Sequence, residues 1–289
     1  MKIKILIPVY NDFQSVSKLI KDINSATSNL NEDFSIIIVN DASTEKTDID
    51  ISNLDKINLI KVINIKDNQG HARCIATGLR HIHENEEFDY VIPMDGDGED
   101  RAEEIVKFVE FLKYDNKKPV VGERIKRSEG IIFKISYNIH KLITFIFTGQ
   151  SIKFGNYTFL PKTTVEKMVN EKATWSSFSG SLAKLEKNRS TIPSVRGVRY
   201  FGPSKMSFYN LIKHSLSIIA VFKTSVIVRS ILFCIIYLFL ISENITYITS
   251  IPLIAVIALV ISVLVISKRE NMNEFSKALL KIQNIDQIK

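Results

Sequence analysis

The sequence is poor in cysteine. Cys74 and Cys234 are the two present, one in a predicted soluble helix and the other in a long apolar run. So few thiols, so placed, exclude a disulfide framework and a cysteine-based metal centre, as expected for a reducing cytoplasm. No signal peptide is expected either, because Met1 to Tyr10 is too short and runs straight into a strand pattern. No internal repeat and no low-complexity segment is visible. The 289 residues therefore read as one large domain or two small ones. The net charge is +7, yet no basic stripe interleaves with aromatics. That pattern argues against nucleic acid and fits an anionic membrane surface or phosphorylated substrates.

What is present in excess is apolar sequence after Ser215. Thr224 to Ile241 reads TSVIVRSILFCIIYLFLI, and Ile245 to Ile266 reads ITYITSIPLIAVIALVISVLVI. Each approaches the roughly 20 apolar residues needed to span a bilayer. The second carries no charge, and the first carries only Arg229, near enough to its start to snorkel. Ser242, Glu243 and Asn244 join them in a tight hairpin. A pair of buried core helices is the alternative, but such helices seldom lack a polar face for so long. Lys205, Lys213, Lys223 and Arg229 precede the hairpin, and Lys268 and Arg269 follow it. The excess of basic residues predicts both ends in the cytoplasm. Met206 to Phe222 is amphipathic and is expected at the membrane interface.

The first half alternates strand and helix patterns. Strands are expected at Lys2 to Val9, Phe34 to Val39, Leu59 to Ile65, Phe88 to Pro93 and Pro119 to Val121. Helices are expected at Gln14 to Ile23, His71 to His83 and Ala102 to Tyr114. This order predicts an α/β domain with a mostly parallel sheet and ligands at the carboxyl ends of its strands. Ile131 to Phe147 reads as helix, Phe154 to Leu160 and Thr191 to Val198 as strands of a mixed second half, and Asn271 to Gln283 as a short cytoplasmic helix.

The strand ends carry the chemistry. Phe88 to Asp100 reads FDYVIPMDGDGED, where Asp95, Asp97, Glu99 and Asp100 crowd together after an apolar run. If extended, the segment points Asp95, Asp97 and Glu99 one way. Three hard oxygen donors suit Mg²⁺ or Mn²⁺ shared with a phosphate; the alternative is a solvated acidic turn. Other strands end in Pro8-Val9-Tyr10-Asn11-Asp12, Val39-Asn40-Asp41-Ala42-Ser43 and Asn68-Gln69-Gly70-His71-Ala72-Arg73.

These elements, with Gly122-x-Arg124 and Arg199-x-x-Gly202-x-Ser204-Lys205, resemble the family 2 glycosyltransferases of the GT-A fold. Within them the likeness is to polyprenyl-phosphate sugar synthases of the dolichyl-phosphate mannose synthase type. It covers roughly Lys2 to Ser207, and the hairpin in kind. The resemblance implies a catalytic domain at 1–205, a juxtamembrane helix at 206–222, a transmembrane hairpin at 223–267 and a cytoplasmic tail at 268–289. The site would lie at the inner, cytoplasmic membrane of the cell.

Pro8, Tyr10 and Asp41 are then expected to line the nucleotide's base and ribose pocket, unless Asp41 merely caps a helix before Thr44. Asp95 and Asp97, with Glu99 as a further ligand, would hold the divalent metal on the donor diphosphate. Arg124 and Arg199 are candidates for phosphate contacts, since guanidinium grips phosphate bidentately. Ser204 and Lys205 would meet the phosphate of a polyprenyl acceptor. Asp100 would be the base if the acceptor were a hydroxyl, although helix capping accounts for it equally. His71 and Arg73 either touch the diphosphate or open a helix.

The expected partners are a nucleotide-sugar donor, polyprenyl phosphate and membrane lipid, without nucleic acid; relatives of this build can form homo-oligomers through their membrane helices. Inverting transfer of one sugar to the lipid phosphate is the leading expectation. A glycan hydroxyl as acceptor, or a non-catalytic membrane scaffold, are the rivals. Asn40 stands where the first Asp of an Asp-Asp-Gly-Ser pattern is common. Gly155-Asn156-Tyr157-Thr158 replaces a Ser/Thr-Gly-Phe turn. The Gln-x-x-Arg-Trp signature of processive synthases is absent, which excludes a polysaccharide-extruding enzyme.

Overall fold

The computed structural model describes residues 1–115, 117–126, 141–203 and 208–289. The chain begins with strand β1 (Lys2–Val9), helix α1 (Phe13–Ala26), β2 (Asp33–Asn40), β3 (Ile57–Ile65), α2 (His71–Asn85) and β4 (Tyr90–Pro93). A 3₁₀ turn at Ala102–Glu104 and α3 (Ile105–Phe111) follow, where one helix to Tyr114 was expected. Then come β5 (Val120–Lys126), a helix at residues 141–148 (α4), β6 (Thr158–Pro161), α5 (Lys162–Val169), α6 (Phe178–Leu185) and β7 (Ser190–Val195). Helices α5 and α6 were not anticipated, and β6 is shorter than the expected run from Phe154. Of the helix expected over residues 131–147, residues 131–140 lie outside the described residues.

The strands form one eight-stranded sheet in the order β7-β5-β6-β4-β1-β2-β3-β8. Strands β4, β1, β2 and β3 are parallel neighbours. Strands β1, β2 and β4 can be read from sequence because both faces are covered, which makes them largely apolar, whereas β3 keeps polar residues at Asn58, Lys61 and Asn64. From Ile3 to Val9 every residue of β1 is buried. One face packs Phe13, Val16, Leu19 and Ile20 of α1 with Ile105 and Phe108 of α3. The other packs Ile75, Leu79 and Ile82 of α2 with Val165, Met168, Trp175, Phe178 and Leu182. Helix α2 reaches β1 at Gly78, where a Cβ would stand 2.3 Å from Leu6 Cδ1. The chain builds β1, β2 and β3 outward, then crosses back to lay β4 on the other side of β1. The carboxyl ends of β1 and β4 therefore flank a topological switch point, where open α/β sheets bind ligands.

Helix α7 (Phe208–Ala220) leads to α8 (Lys223–Ile241) and α9 (Tyr247–Ser267). The last two are long and apolar enough to cross a bilayer, with windows of mean hydropathy 2.3 and 2.8. A capping box at Thr246 and Thr249 starts α9 right after the short turn. Phe147 of α4, Ile219 and Ala220 of α7, Val226 of α8, and Val256 and Val263 of α9 share a small apolar core. Arg229 donates to the Ile146 carbonyl at 3.0 Å, so its charge stays at the domain end of α8.

The tail differs from expectation. Instead of a helix over Asn271 to Gln283, it forms the short α10 (Met272–Ser276), a 3₁₀ turn (Ala278–Lys281) and a strand, β8 (Ile282–Gln287). Strand β8 runs antiparallel to β3, pairing Ile285 with Ile63 and Asp286 with Val62. The physical reason is the open edge of β3: its backbone groups need partners, and the mostly polar segment Ile282–Gln287 supplies them while its side chains stay largely exposed. The tail expected at 268–289 thus packs back on the sheet domain and supplies its edge strand.

Candidate active site

The candidate site lies at the ends of β1, β2 and β4, beside a cavity lined by Asn11, Asp12, Phe13, Glu45 and Phe201. Tyr10 stands beyond β1 and is 44% exposed, while Pro8 is buried in the sheet opposite Val39. Asn11 and Ala42 sit in the left-handed backbone region, with φ of 50° and 57°, and turn the two loops toward each other. Asn11 Oδ1 accepts from the Thr44 N–H at 2.8 Å, and the Asn11 N–H donates to Ser43 Oγ at 2.9 Å.

Asp41 is buried and does not cap a helix before Thr44, since no helix begins there. Its two carboxylate oxygens accept the N–H groups of Gln69, at 2.6 Å, and Gly70, at 2.9 Å. It thereby fixes the turn that opens α2.

The acidic segment is a turn, not an extended run, so the alternation expected of Asp95, Asp97 and Glu99 does not hold. Gly98 has φ 86°, and a Cβ there would lie 2.5 Å from the Tyr200 ring. Asp97 Oδ1 accepts the Glu99 N–H at 2.9 Å, closing the turn on itself. The Glu99 carboxylate is taken by Arg196. Asp100 folds inward, where its Oδ2 accepts the Asp95 N–H at 2.9 Å and Oδ1 lies 3.9 Å from Arg124. Asp100 is therefore a buried brace behind Asp95, and it caps no helix.

Arg199 binds Asp97 on one side and Asp12 at 3.0 Å on the other. It joins the loop after β7 to the ends of β1 and β4. Among the described residues, its buried Nε has no hydrogen-bond partner. Asp95 faces Asn156 Nδ2 at 3.2 Å and His71 Nε2 at 3.3 Å. Arg124 packs tightly on the same loop: a Cβ on Gly155 would be 2.9 Å from its guanidinium.

The electrostatics follow from this crowding. Burial opposes ionisation of Asp95, but the His71 charge, its hydrogen bond and Arg124 overcome that and hold its carboxyl well below the usual range. Burial and then the Asp95 charge push Asp97 up to about 6 and Asp100 up to about 7. Burial would lower His71, but Asp95 beside it outweighs this and raises it.

Among the described residues, no three His, Cys, Asp or Glu side chains stand assembled around a single metal position. Asp95 and Asp97 nevertheless fit a divalent cation that takes its other ligands from elsewhere. They are hard oxygen donors at the end of β4, and their mutual repulsion is what a cation relieves. A diphosphate would be one source of the missing oxygens.

Of the residues expected at the site, Asp95, Asp97, Asp100, Arg124 and Arg199 come together around the end of β4, and Glu99 joins them through Arg196. Tyr10 and Asp41 flank the site at β1 and β2. Ser204 and Lys205 lie outside the described residues. The sequence did not assign Asp12, Asn156, Arg196 and Tyr200. Asp12 closes the motif after β1 and Arg196 precedes the Arg199 motif, so proximity in sequence was the available signal. Asn156 meets Asp95 across 61 positions, and its place in the Gly155-Asn156-Tyr157-Thr158 turn was the available signal.

This sheet order, with its acidic turn at the switch point, is the GT-A fold. The chain belongs to glycosyl transferase family 2, whose model matches residues 4–173. It is similar to the undecaprenyl-phosphate 4-deoxy-4-formamido-L-arabinose transferase of Salmonella choleraesuis (strain SC-B67). The two are 27% identical over 219 residues, 73% of this chain and 64% of the relative. The equivalent protein of Salmonella newport (strain SL254) matches equally, at 27% over the same share of each chain. The match thus spans a little under two thirds of the length of these curated relatives.

Among solved structures, glucosyl-3-phosphoglycerate synthase from Mycobacterium tuberculosis, in complex with Mn²⁺, uridine diphosphate and glucosyl-3-phosphoglycerate, superposes with TM-score 0.54. It is 13% identical, covering 78% of this chain and 79% of that one. Mannosyl-3-phosphoglycerate synthase from Rubrobacter xylanophilus superposes with TM-score 0.51 at 12% identity, covering 76% and 72%. At these identities the likeness is one of fold.

Proposed function

We propose that the protein is a membrane-anchored, inverting glycosyltransferase that moves one sugar from a nucleotide-sugar donor to polyprenyl phosphate. The observation that carries this reading is the pairing of Asp95 and Asp97 at the switch point of a domain whose chain enters and leaves an apolar hairpin. The similarity to transferases named for undecaprenyl phosphate supports the acceptor class. The polar site and family membership support the donor class.

Asp95 and Asp97 would hold Mg²⁺ or Mn²⁺. Such an ion supplies charge that stabilises a departing nucleoside diphosphate. Asp100 fixes the Asp95 backbone, and Asp41 fixes the turn beside the nucleoside. Arg199 would bring a guanidinium beside the diphosphate while keeping Asp97 in place. Arg124 brings a second guanidinium to the same end of β4. Pro8 and Tyr10 form the wall at the end of β1. Ser204 and Lys205, placed in sequence between the site and the hairpin, are assigned to the acceptor phosphate. A lipid phosphate oxygen is already anionic, so attack on the anomeric carbon requires no strong base.

The hairpin places the domain at the cytoplasmic membrane with both ends of the chain in the cytoplasm, a reading supported by the basic residues that flank it. The apolar faces of α8 and α9 meet lipid and offer the surface through which copies would associate.

The full chain, in vesicles with undecaprenyl phosphate and a panel of nucleotide sugars, is expected to give a lipid-linked product. Mild acid should release its sugar, because a sugar phosphodiester is acid-labile. An acid-stable product would instead assign a hydroxyl acceptor, and no transfer from any donor would contradict the enzyme.

A further inference from the structure

Building on the glycosyltransferase reading, we propose that the segment following the membrane hairpin is part of the donor-nucleotide site, with Lys281 as a positioning residue. Two relays of hydrogen bonds run from that segment to the loop at residues 40–43. In the first, Lys281 Nζ donates to Gln69 Oε1 at 2.6 Å. The N–H groups of Gln69 and of Gly70 then donate to the Asp41 carboxylate. In the second, Asn64 Nδ2 donates to Asp286 at 2.8 Å, and Asn40 Nδ2 donates to Asn64 Oδ1 at 2.8 Å. Asn40 Oδ1 in turn accepts the Ser43 N–H at 3.0 Å.

Three features make Lys281 a device and not a passing contact. Its Nζ lies 5.5 Å from the centre of the buried Trp175 ring, which favours a cation there. Its backbone is held by the Lys66 N–H, which donates to the Lys281 carbonyl at 2.9 Å. The segment just before it is anchored by Glu274, which accepts from Trp175 Nε1 at 3.1 Å and pairs with Arg73 at 3.2 Å. The turn at residues 68–70 has no regular structure of its own, and Gly70 sits at φ 87°. Side-chain bonds therefore decide where that turn stands, and with it the Asp41 carboxylate that the proposed function assigns to the nucleoside pocket. Because these residues follow α9 in the chain, the donor pocket is complete only when the hairpin has returned its C-terminal strand to β3.

The test uses the full chain in vesicles with its active donor. Lys281→Met removes the ammonium and keeps most of the stem. It should raise the donor KM about five- to tenfold, the size of one lost charge-assisted hydrogen bond, with kcat within about twofold of wild type. Lys281→Arg should restore the KM. Gln69→Met should raise the KM similarly, and the double variant Lys281→Met, Gln69→Met should be no worse than either single one, because both break the same relay. An unchanged KM in Lys281→Met, additive penalties in the double variant, or a lowered Tm with unaltered KM would each overturn the proposal. Wild-type turnover with an indifferent Lys281→Met sinks this inference alone, whereas absence of turnover in the wild type sinks the glycosyltransferase reading with it.

Discussion

Replacing Asp97 with Asn should lower kcat by about a hundred- to a thousandfold or more, the cost of losing one preorganised group at a developing charge. The protein should remain folded and membrane-bound. Asp97 lies at the meeting point of the site: its carboxylate accepts the Glu99 N–H and holds Arg199, which in turn reaches Asp12. Asn is isosteric and can keep the Glu99 bond, so the turn should survive. The charge is what is lost. Burial and Asp95 push this carboxyl up to about 6. A folded value above the unfolded one means that ionisation destabilises the fold, and that this penalty is fully present above about pH 6. The neutral amide removes it, so Tm at pH 8 should be unchanged or higher. Activity and thermal unfolding, measured on the same preparation, check both parts. Wild-type activity in Asp97→Asn would remove the residue from the chemistry.

Trp175→Ala should cost about 3–5 kcal/mol of stability, the range for truncating a large buried aromatic. Trp175 is 0% exposed and sits in the core between α2 and the helices after β6. It stacks on Phe275 of α10 with ring centroids 5.5 Å apart, and its N–H binds Glu274. It is the point where the sheet domain grips the segment returning from the membrane. Trp175→Phe should recover much of the packing but leave Glu274 without this donor, so its loss should be intermediate. Denaturant unfolding of the detergent-solubilised chain reads both. A loss below about 1 kcal/mol for the Ala variant would show that the grip is not made there.

The order of these effects shows what a single sequence discloses. Strands β1, β2 and β4 were legible because parallel strands covered on both faces become continuous runs such as Ile3 to Val9. The hairpin was legible because lipid demands length and apolarity, both local properties. The acidic turn was legible as a cluster, but not in its geometry. Gly98 takes a backbone conformation that breaks the period of two and sends Glu99 to Arg196 and Asp100 beneath Asp95. Strand β8 was hidden because it lies on an edge with an exposed face, and its partner β3 is over two hundred residues away in the chain. Asn156 beside Asp95, and Lys281 on Gln69, are likewise long-range contacts that no local pattern announces. Tertiary closure determines these, and it decides the fine structure of the site.

The claim on which the rest depends is that Asp95 and Asp97 hold a divalent cation through a donor diphosphate. Electron paramagnetic resonance of Mn²⁺, titrated with the full chain, tests it directly. With a nucleoside diphosphate held at a concentration too low to bind Mn²⁺ appreciably by itself, the free-ion signal should fall on addition of the protein, fall much less with the protein or the diphosphate alone, and persist in Asp95→Asn, Asp97→Asn. A nucleoside diphosphate that binds equally well without Mn²⁺, or a signal quenched equally by the double variant, would contradict the account.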